Sequence, residues 1–219
     1  MRGEAPHRSP PASPASGFVA VAVTGGIGAG KTSLCRILRR FPGVVHVDAD
    51  RIVRGLLSGN PVVYRDIHAR CGPGVLRADG RLDRTRLAAR VFGDRRELRW
   101  LEDLLHPRVQ GSLMRKVRAL KRRGGVGIVL VEIPLLAEVG VPSWCDLVVT
   151  VEAGEALRLA RLERRGVNAG EAKRRMVRQT TDGTRRAKAD FIIRNDGDFE
   201  ELEKGARRLW ERLFLRERD

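Results

Sequence analysis

Apolar residues along the 219-residue chain fall into two alternating patterns. The first is the short unbroken run: "FVAVAV" from Phe18, "VVHV" from Val44, "VGIVLVEI" from Val126, "DLVVTV" from Asp146 and "FIIRN" from Phe191. Runs of this length predict strands, and the first of them, β-branched and stopped by a glycine cluster, suits a parallel strand buried on both faces. The second is the helical stripe. Leu34, Ile37, Leu38 and Phe41 share one face before Pro42-Gly43 stops the segment. Further helical segments are expected around Arg51–Ser58 and Pro61–Arg70, around Leu157, Leu159 and Leu162, and over Phe199–Leu215. Strands alternating with helices imply an α/β fold, a parallel sheet flanked by helices.

Between about 79 and 123 the strands disappear. "LDRTRLAARVF", "RRELRWLEDLLH" and "PRVQGSLMRKVRALKRR" predict three amphipathic helices, a helical insertion hung on the sheet. His106 ends the second of these, and Pro107 opens the third at its favoured first position. On composition alone His106 reads as a structural residue. Residues 1–16, "MRGEAPHRSPPASPAS", lack the apolar stretch of a secretory signal and predict a flexible tail. A transit peptide or an over-early start codon fits that composition too, so the folded domain is taken as 17–219.

One loop carries recognisable chemistry. Gly25-x4-Gly30-Lys31-Thr32 fits the phosphate-binding pattern in full, with a strand before it and a helix after it. Backbone amides of such a loop turn toward one anion, and the new helix adds its N-terminal dipole. Lys31 is placed for the β- and γ-phosphates, and Thr32 for Mg²⁺. A glycine-rich turn that binds nothing is the competing reading, disfavoured by the complete motif. The loop predicts a nucleoside triphosphate but does not name the acceptor.

Carboxylates follow at other strand ends. "HVDAD" closes the second strand with Asp48 and Asp50, either of which can take a proton from an attacking hydroxyl; spacing does not choose between them. One of the two as a helix cap is the alternative. Glu132 ends the third strand, where phosphate-loop proteins commonly place an acidic residue near the metal. Pro134, Leu135 and Leu136 then predict an apolar wall.

The formal charge is +16, with arginine far outnumbering lysine. Nucleic acid or a polyanionic small substrate suits such charge, although a GC-rich genome also yields arginine. Aromatic residues are only 5%, and no stacking motif supports nucleic-acid binding. The arginines crowd region 158–188, between a strand-following helix and the last strand, where a lid can clamp ATP and exclude water. Cys35, Cys71 and Cys145 are widely spaced and odd in number, which predicts reduced thiols in a cytoplasmic protein. The apolar runs are too short to cross a bilayer as helices.

Taken together, "TGGIGAGKTS", "VDADRIVR", "ADGRLDRTRLAARVF", "LEDLLHPRV", "EIPLLAE" and "RQTTDGTRRAKADFIIRNDG" resemble the dephospho-CoA kinases over about residues 18 to 213. The resemblance implies a P-loop NTPase fold with a parallel five-stranded sheet, like nucleoside monophosphate kinases, plus a helical CoA domain (about 79–123) and a lid (about 158–188). It implies transfer of the γ-phosphate of ATP, with Mg²⁺, to the ribose 3′-hydroxyl of dephospho-CoA. It also implies a cytoplasmic monomer without nucleic-acid or membrane partners. Asp50 falls on the position of the base, and Lys31 and Arg161 are the other catalytic candidates. Gly26, Ile27, Gly28, Ala29, Gly30, Lys31, Thr32, Ser33, Arg161 and Arg165 are implied for ATP. Asp48, Asp50, Arg84, His106, Pro134, Leu135 and Leu136 are implied for the acceptor, which promotes His106 from its structural reading. Thr32 is implied for Mg²⁺, with Asp48 or Glu132 contributing through water. Glu132 stands where many members have Asp, and Arg164 and Arg165 both fit the second lid position. Another small-molecule kinase and a basic nucleic-acid-binding module are the rival readings.

Overall fold

The computed structural model describes residues 17–134, 136, 140–177 and 179–215; the tail 1–16 and Leu135 lie outside the described residues. The chain divides into two compact units. One comprises the chain up to Val47 together with Val117 onward, and the other is Asp48–Lys116.

The first unit is built on a five-stranded sheet of order β2-β3-β1-β4-β5. The strands are β1 (Val19–Gly25), β2 (Val44–Asp48), β3 (Ile128–Glu132), β4 (Leu147–Glu152) and β5 (Phe191–Arg194). The pairs β1·β3, β1·β4 and β4·β5 are parallel. β1 lies centrally and is buried along its whole length, which is why its sequence shows no polar alternation. Alternate residues Val19, Val21 and Val23 join Ile128, Leu130, Leu147, Val149 and Val151 on one face. That face packs on α1 (Lys31–Leu38) through Leu34, Cys35, Ile37 and Leu38, and on α9 (Phe199–Leu215) through Leu202, Ala206, Leu209 and Leu213. Phe41, expected inside the first helix, lies beyond it and stacks on Trp210 with ring centroids 5.0 Å apart.

Two aspartates fix the strand starts. Asp146, just before β4, gives its backbone N–H to Ala20 O (2.9 Å), while its carboxylate accepts the Ala20 N–H (2.8 Å). Asp190, just before β5, repeats the arrangement with Val148, at 2.8 and 2.7 Å. Between β4 and β5 run α6 (Glu155–Glu163), α7 (Ala169–Val177) and α8 (Asp182–Arg186).

The second unit is helical: α2 (Ala49–Gly59), α3 (Pro61–Cys71), a 3₁₀ turn at Pro73–Val75, α4 (Arg84–Phe92) and most of α5 (Arg95–Arg123). It has its own core of Val63, Ile67, Val75, Leu82, Leu87, Val91 and Leu105. This unit takes in α2 and α3, which the absence of strands had not marked as part of the insertion. Val53, Leu56 and Leu57 of α2 pack against the cluster that Val63 and Ile67 of α3 form with Leu82 and Leu87. Asn60 caps α3 by accepting from Val62 N and Val63 N, and Pro61 follows at the first helical position.

The two helices expected to meet at His106-Pro107 are one 29-residue helix. Proline inside a helix removes one backbone bond and crowds the preceding turn. Here Arg108 Nη1 donates to Leu104 O (2.7 Å) beside the break. Burial of Leu105 before Pro107 and Leu113 after it holds the helix through that position.

Candidate active site

The phosphate loop leaves β1 at Gly25, and α1 starts at Lys31. Gly30 occupies the N-cap of α1 with φ 106°, a left-handed angle that glycine adopts without strain. A side chain there would also collide with Asn195, whose Nδ2 lies 2.1 Å from the position of a Cβ. Asn195 Nδ2 donates to Ala29 O (2.7 Å), and Gln179 Oε1 accepts from Ile27 N (2.8 Å), so side chains far along the chain hold both arms of the loop. Within the loop, Ala29 N bonds to Gly26 O. Lys31 is 8% exposed, and its ammonium donates to Gly25 O (2.9 Å) and Gly26 O (3.1 Å).

Arginines close over the loop. Arg158, on α6, is 8% exposed and lies against Gly26 and Gly28; its Nη1 is 2.1 Å from where a Gly26 Cβ would stand. Arg185, on α8, is 4% exposed and is tied to Thr180 O and to the Asp182 carboxylate. Arg161, three residues after Arg158, donates to Asn195 O (2.9 Å). Burial pushes its guanidinium below the ordinary arginine value, and Arg165 and Arg164 add repulsion. It stays charged, because arginine begins so far above neutral pH. Arg158 Nε, Arg161 Nη1 and Arg185 Nε are buried without a hydrogen-bond partner among the described residues. Buried cationic donors left this way are costly, and an anion is what satisfies them. A polyphosphate brings several such oxygens at once.

Neighbouring groups fix these cations. Arg186 makes a two-pronged pair with Glu152 at the end of β4, both bonds 2.7 Å, and this pair raises the Arg186 guanidinium above its ordinary value. Thr32 Oγ1 donates to Glu132 Oε1 (2.8 Å). Beside the loop, a cavity of about 300 Å³ is lined by Gly30, Ser33, Arg161, Arg164, Arg165 and Asn195, with Phe199 at its rim. Both Arg164 and Arg165 line it. Pro134 is half-buried, and Leu136 is fully buried in the core.

The remaining candidates belong to the helical unit. Asp48 closes β2 and caps α2, its carboxylate accepting from Arg51 N (3.2 Å) and from Arg54 Nη2 (3.3 Å). The strand therefore ends at Asp48, and Asp50 sits exposed in the first turn of a helix, not two residues further along one strand face. Arg84 opens α4 and is exposed, while His106 is half-buried on α5. A cleft of about 320 Å³ in this unit is lined by Asn60, Pro107, Arg108, Ser112 and Arg115 among others.

Sequence reading passed over Arg158, Gln179 and Asn195 as candidates. Two signals were present: Arg158 and Arg161 share a helix face at i, i+3, and Asn195 directly follows the carboxyl end of β5, where ligands of such sheets bind.

The model of the dephospho-CoA kinase (CoaE) family matches residues 19–201. The chain belongs to the dephospho-CoA kinase family. It is 40% identical over 198 residues to the dephospho-CoA kinase of Streptomyces avermitilis, covering 90% of this chain and 94% of that one. It is 36% identical over 194 residues to the dephospho-CoA kinase of Corynebacterium diphtheriae, covering 88% and 96%. Among solved structures, TT1252 from Thermus thermophilus superposes with a TM-score of 0.74 at 29% identity, over 90% of this chain and 98% of that one. The family match thus spans the phosphate loop, the helical unit of this dephospho-CoA kinase relative, and Asn195.

Proposed function

We propose that this chain transfers the γ-phosphoryl group of ATP to the ribose 3′-hydroxyl of dephospho-CoA, giving coenzyme A and ADP, the final step of coenzyme A synthesis. The observation that carries this reading is the family match over 19–201, in a chain whose phosphate loop is complete. ATP lays its phosphates on the Gly26–Ser33 segment, with Lys31 at the β- and γ-phosphates. Its adenosine enters the cavity lined by Arg161, Arg164, Arg165 and Asn195, where the exposed Phe199 ring offers a stacking face. The buried N–H groups of Arg158, Arg161 and Arg185 support this placement, since they present fixed positive charge to the group being transferred.

Thr32 and Glu132 fit Mg²⁺: a hydroxyl and a carboxylate oxygen already 2.8 Å apart are the hard oxygen donors that this ion takes. Bound there, Mg²⁺ supplies charge neutralisation on the phosphates. Asp50 orients and deprotonates the 3′-hydroxyl, and its exposure leaves the carboxylate open to substrate. Asp48 supports it from the cap of α2. Arg84, His106 and the Pro134–Leu136 segment serve the acceptor side. The cleft at Pro107, with Arg108 and Arg115, suits the acceptor's pyrophosphate. We place residues 158–188 as the lid and the helical unit as the acceptor domain.

We assign the activity to the cytoplasm. No helix among the described residues is long and apolar enough to cross a membrane. The test is ADP release from Mg·ATP with dephospho-CoA, run beside AMP, dTMP, adenosine and RNA. ADP and coenzyme A in equal amounts are expected. Turnover with another acceptor alone would remove the assignment.

A further inference from the structure

Cys35, His46 and Glu132 converge from three elements of the sheet unit, α1, β2 and β3. One ligand atom from each — thiol sulfur, imidazole nitrogen, carboxylate oxygen — lies within 4.8 Å of the other two. His46 Nε2 is 3.7 Å from Glu132 Oε2, and both side chains are 12% exposed. Cys35 is fully buried in the helix that begins at Lys31. A tetrahedral ion with bonds of about 2.0–2.3 Å holds its ligands about 3.5 Å apart, within reach of small side-chain rotations from these positions. One sulfur, one nitrogen and one oxygen form a donor set for Zn²⁺ and its borderline-soft relatives, unlike the all-oxygen set that suits Mg²⁺.

We propose that Cys35, His46 and Glu132 form a binding site for a soft divalent cation such as Zn²⁺, and that its occupation inhibits phosphoryl transfer. Three protein ligands leave the fourth position to water, and the ion enters from the side of His46 and Glu132, the two partly exposed ligands. Binding displaces the Cys35 thiol proton to solvent, so affinity falls as pH falls. Inhibition follows from the shared carboxylate. Glu132 Oε1 accepts from Thr32 Oγ1, while Oε2 faces His46. An ion on Oε2 withdraws negative charge from the carboxylate beside the Thr32 hydroxyl and adds a second dication next to the phosphate loop. The inhibitory half rests on the reading of Thr32 and Glu132 given above; the binding half does not. Neither Cys71 nor Cys145 belongs to the cluster.

The experiment uses the full chain in nucleotide-free buffer, with Co²⁺ as a spectroscopic probe and Zn²⁺ as the inhibitor. One Co²⁺ per chain is expected, with a near-ultraviolet thiolate charge-transfer band that Zn²⁺ displaces. Cys35→Ala should abolish the band, and His46→Val should weaken binding at least tenfold. In the dephospho-CoA assay, run with Mg·ATP, Zn²⁺ should inhibit the wild type at least tenfold more strongly than either variant, with turnover of both in the absence of Zn²⁺ unchanged. No stoichiometric metal on the wild type, or a thiolate band that survives in Cys35→Ala, would overturn the site. Equal Zn²⁺ sensitivity in all three proteins would overturn the inhibition. Should dephospho-CoA not be phosphorylated at all, the Co²⁺ spectra still decide the site, separately from the function.

Discussion

The sheet unit and the helical unit prepare their candidate residues in opposite ways. Around the phosphate loop polar side chains are tied to fixed partners: Asn195 to Ala29, Gln179 to Ile27, Thr32 to Glu132, and Arg186 to Glu152. In the helical unit, Asp50 and Arg84 stand exposed on first helical turns, and the order there lies in an apolar core and in helix caps. A site for a polyphosphate needs its charges fixed before the ligand arrives, because reorganising them during transfer would cost rate. A site for a large flexible acceptor gains more from accessible groups on a stable platform.

The sharpest way to break this contrast is at Asp50. Asp50→Asn should lower kcat by about 10²–10⁴-fold, the range for a lost general base, with ATP affinity unchanged. Turnover within tenfold of wild type would reduce the helical unit to a binding platform. On the other side, Lys31→Ala and Arg161→Ala should each cost at least about a hundredfold in kcat/KM for ATP. Near-normal turnover in Arg161→Ala would remove it from the donor site.

Leu87→Ala tests whether the helical core stands by itself. Loss of this buried side chain should destabilise by about 2–5 kcal/mol in a denaturant titration. Hydrogen exchange should quicken in α3 and α4 and stay slow in β1 and β4. Uniform loss of protection would instead show one cooperative core. The smallest expected effect is at Asp83, whose carboxylate caps α4 by accepting from Thr85 N and Arg86 N. Those bonds, the Arg86 N–H first, hold the carboxyl below its ordinary value. A depressed carboxyl stabilises above its unfolded value, near 3.9, and loses that contribution as pH falls through the folded one. Asp83→Ala should therefore lower Tm at pH 7, and the gap should narrow as the pH is taken down toward 3.

What the sequence revealed follows the range of the interactions involved. The buried strands β1, β3 and β4 and the α9 helix were legible because burial on both faces, or along one stripe, writes itself into adjacent residues. The edge strands β2 and β5 are only partly buried and were legible as short apolar runs. The phosphate loop was legible because glycine, lysine and threonine must stand at set spacing. Asn195 and Gln179 were not, since their bonds reach 166 and 152 residues back to the loop and only packing brings them there. The proline at 107 misled because a local rule for helix starts was overridden by burial on both sides of it. At Asp48 and Asp50 the strand stopped two residues short of Asp50, and the capping alternative won for Asp48.

The aspartates that precede β4 and β5 act as end-stops for the sheet. Sliding β4 by one residue against β1 would break the Asp146 clasp on Ala20, and sliding it against β5 would break the Asp190 clasp on Val148. Each strand is thereby indexed from its amino end. The far ends, where Gly25 opens the loop and Glu152 receives Arg186, inherit that indexing. Alignment of the phosphate-facing groups is thus set at the opposite edge of the sheet, where loop variation near the ligands leaves it undisturbed.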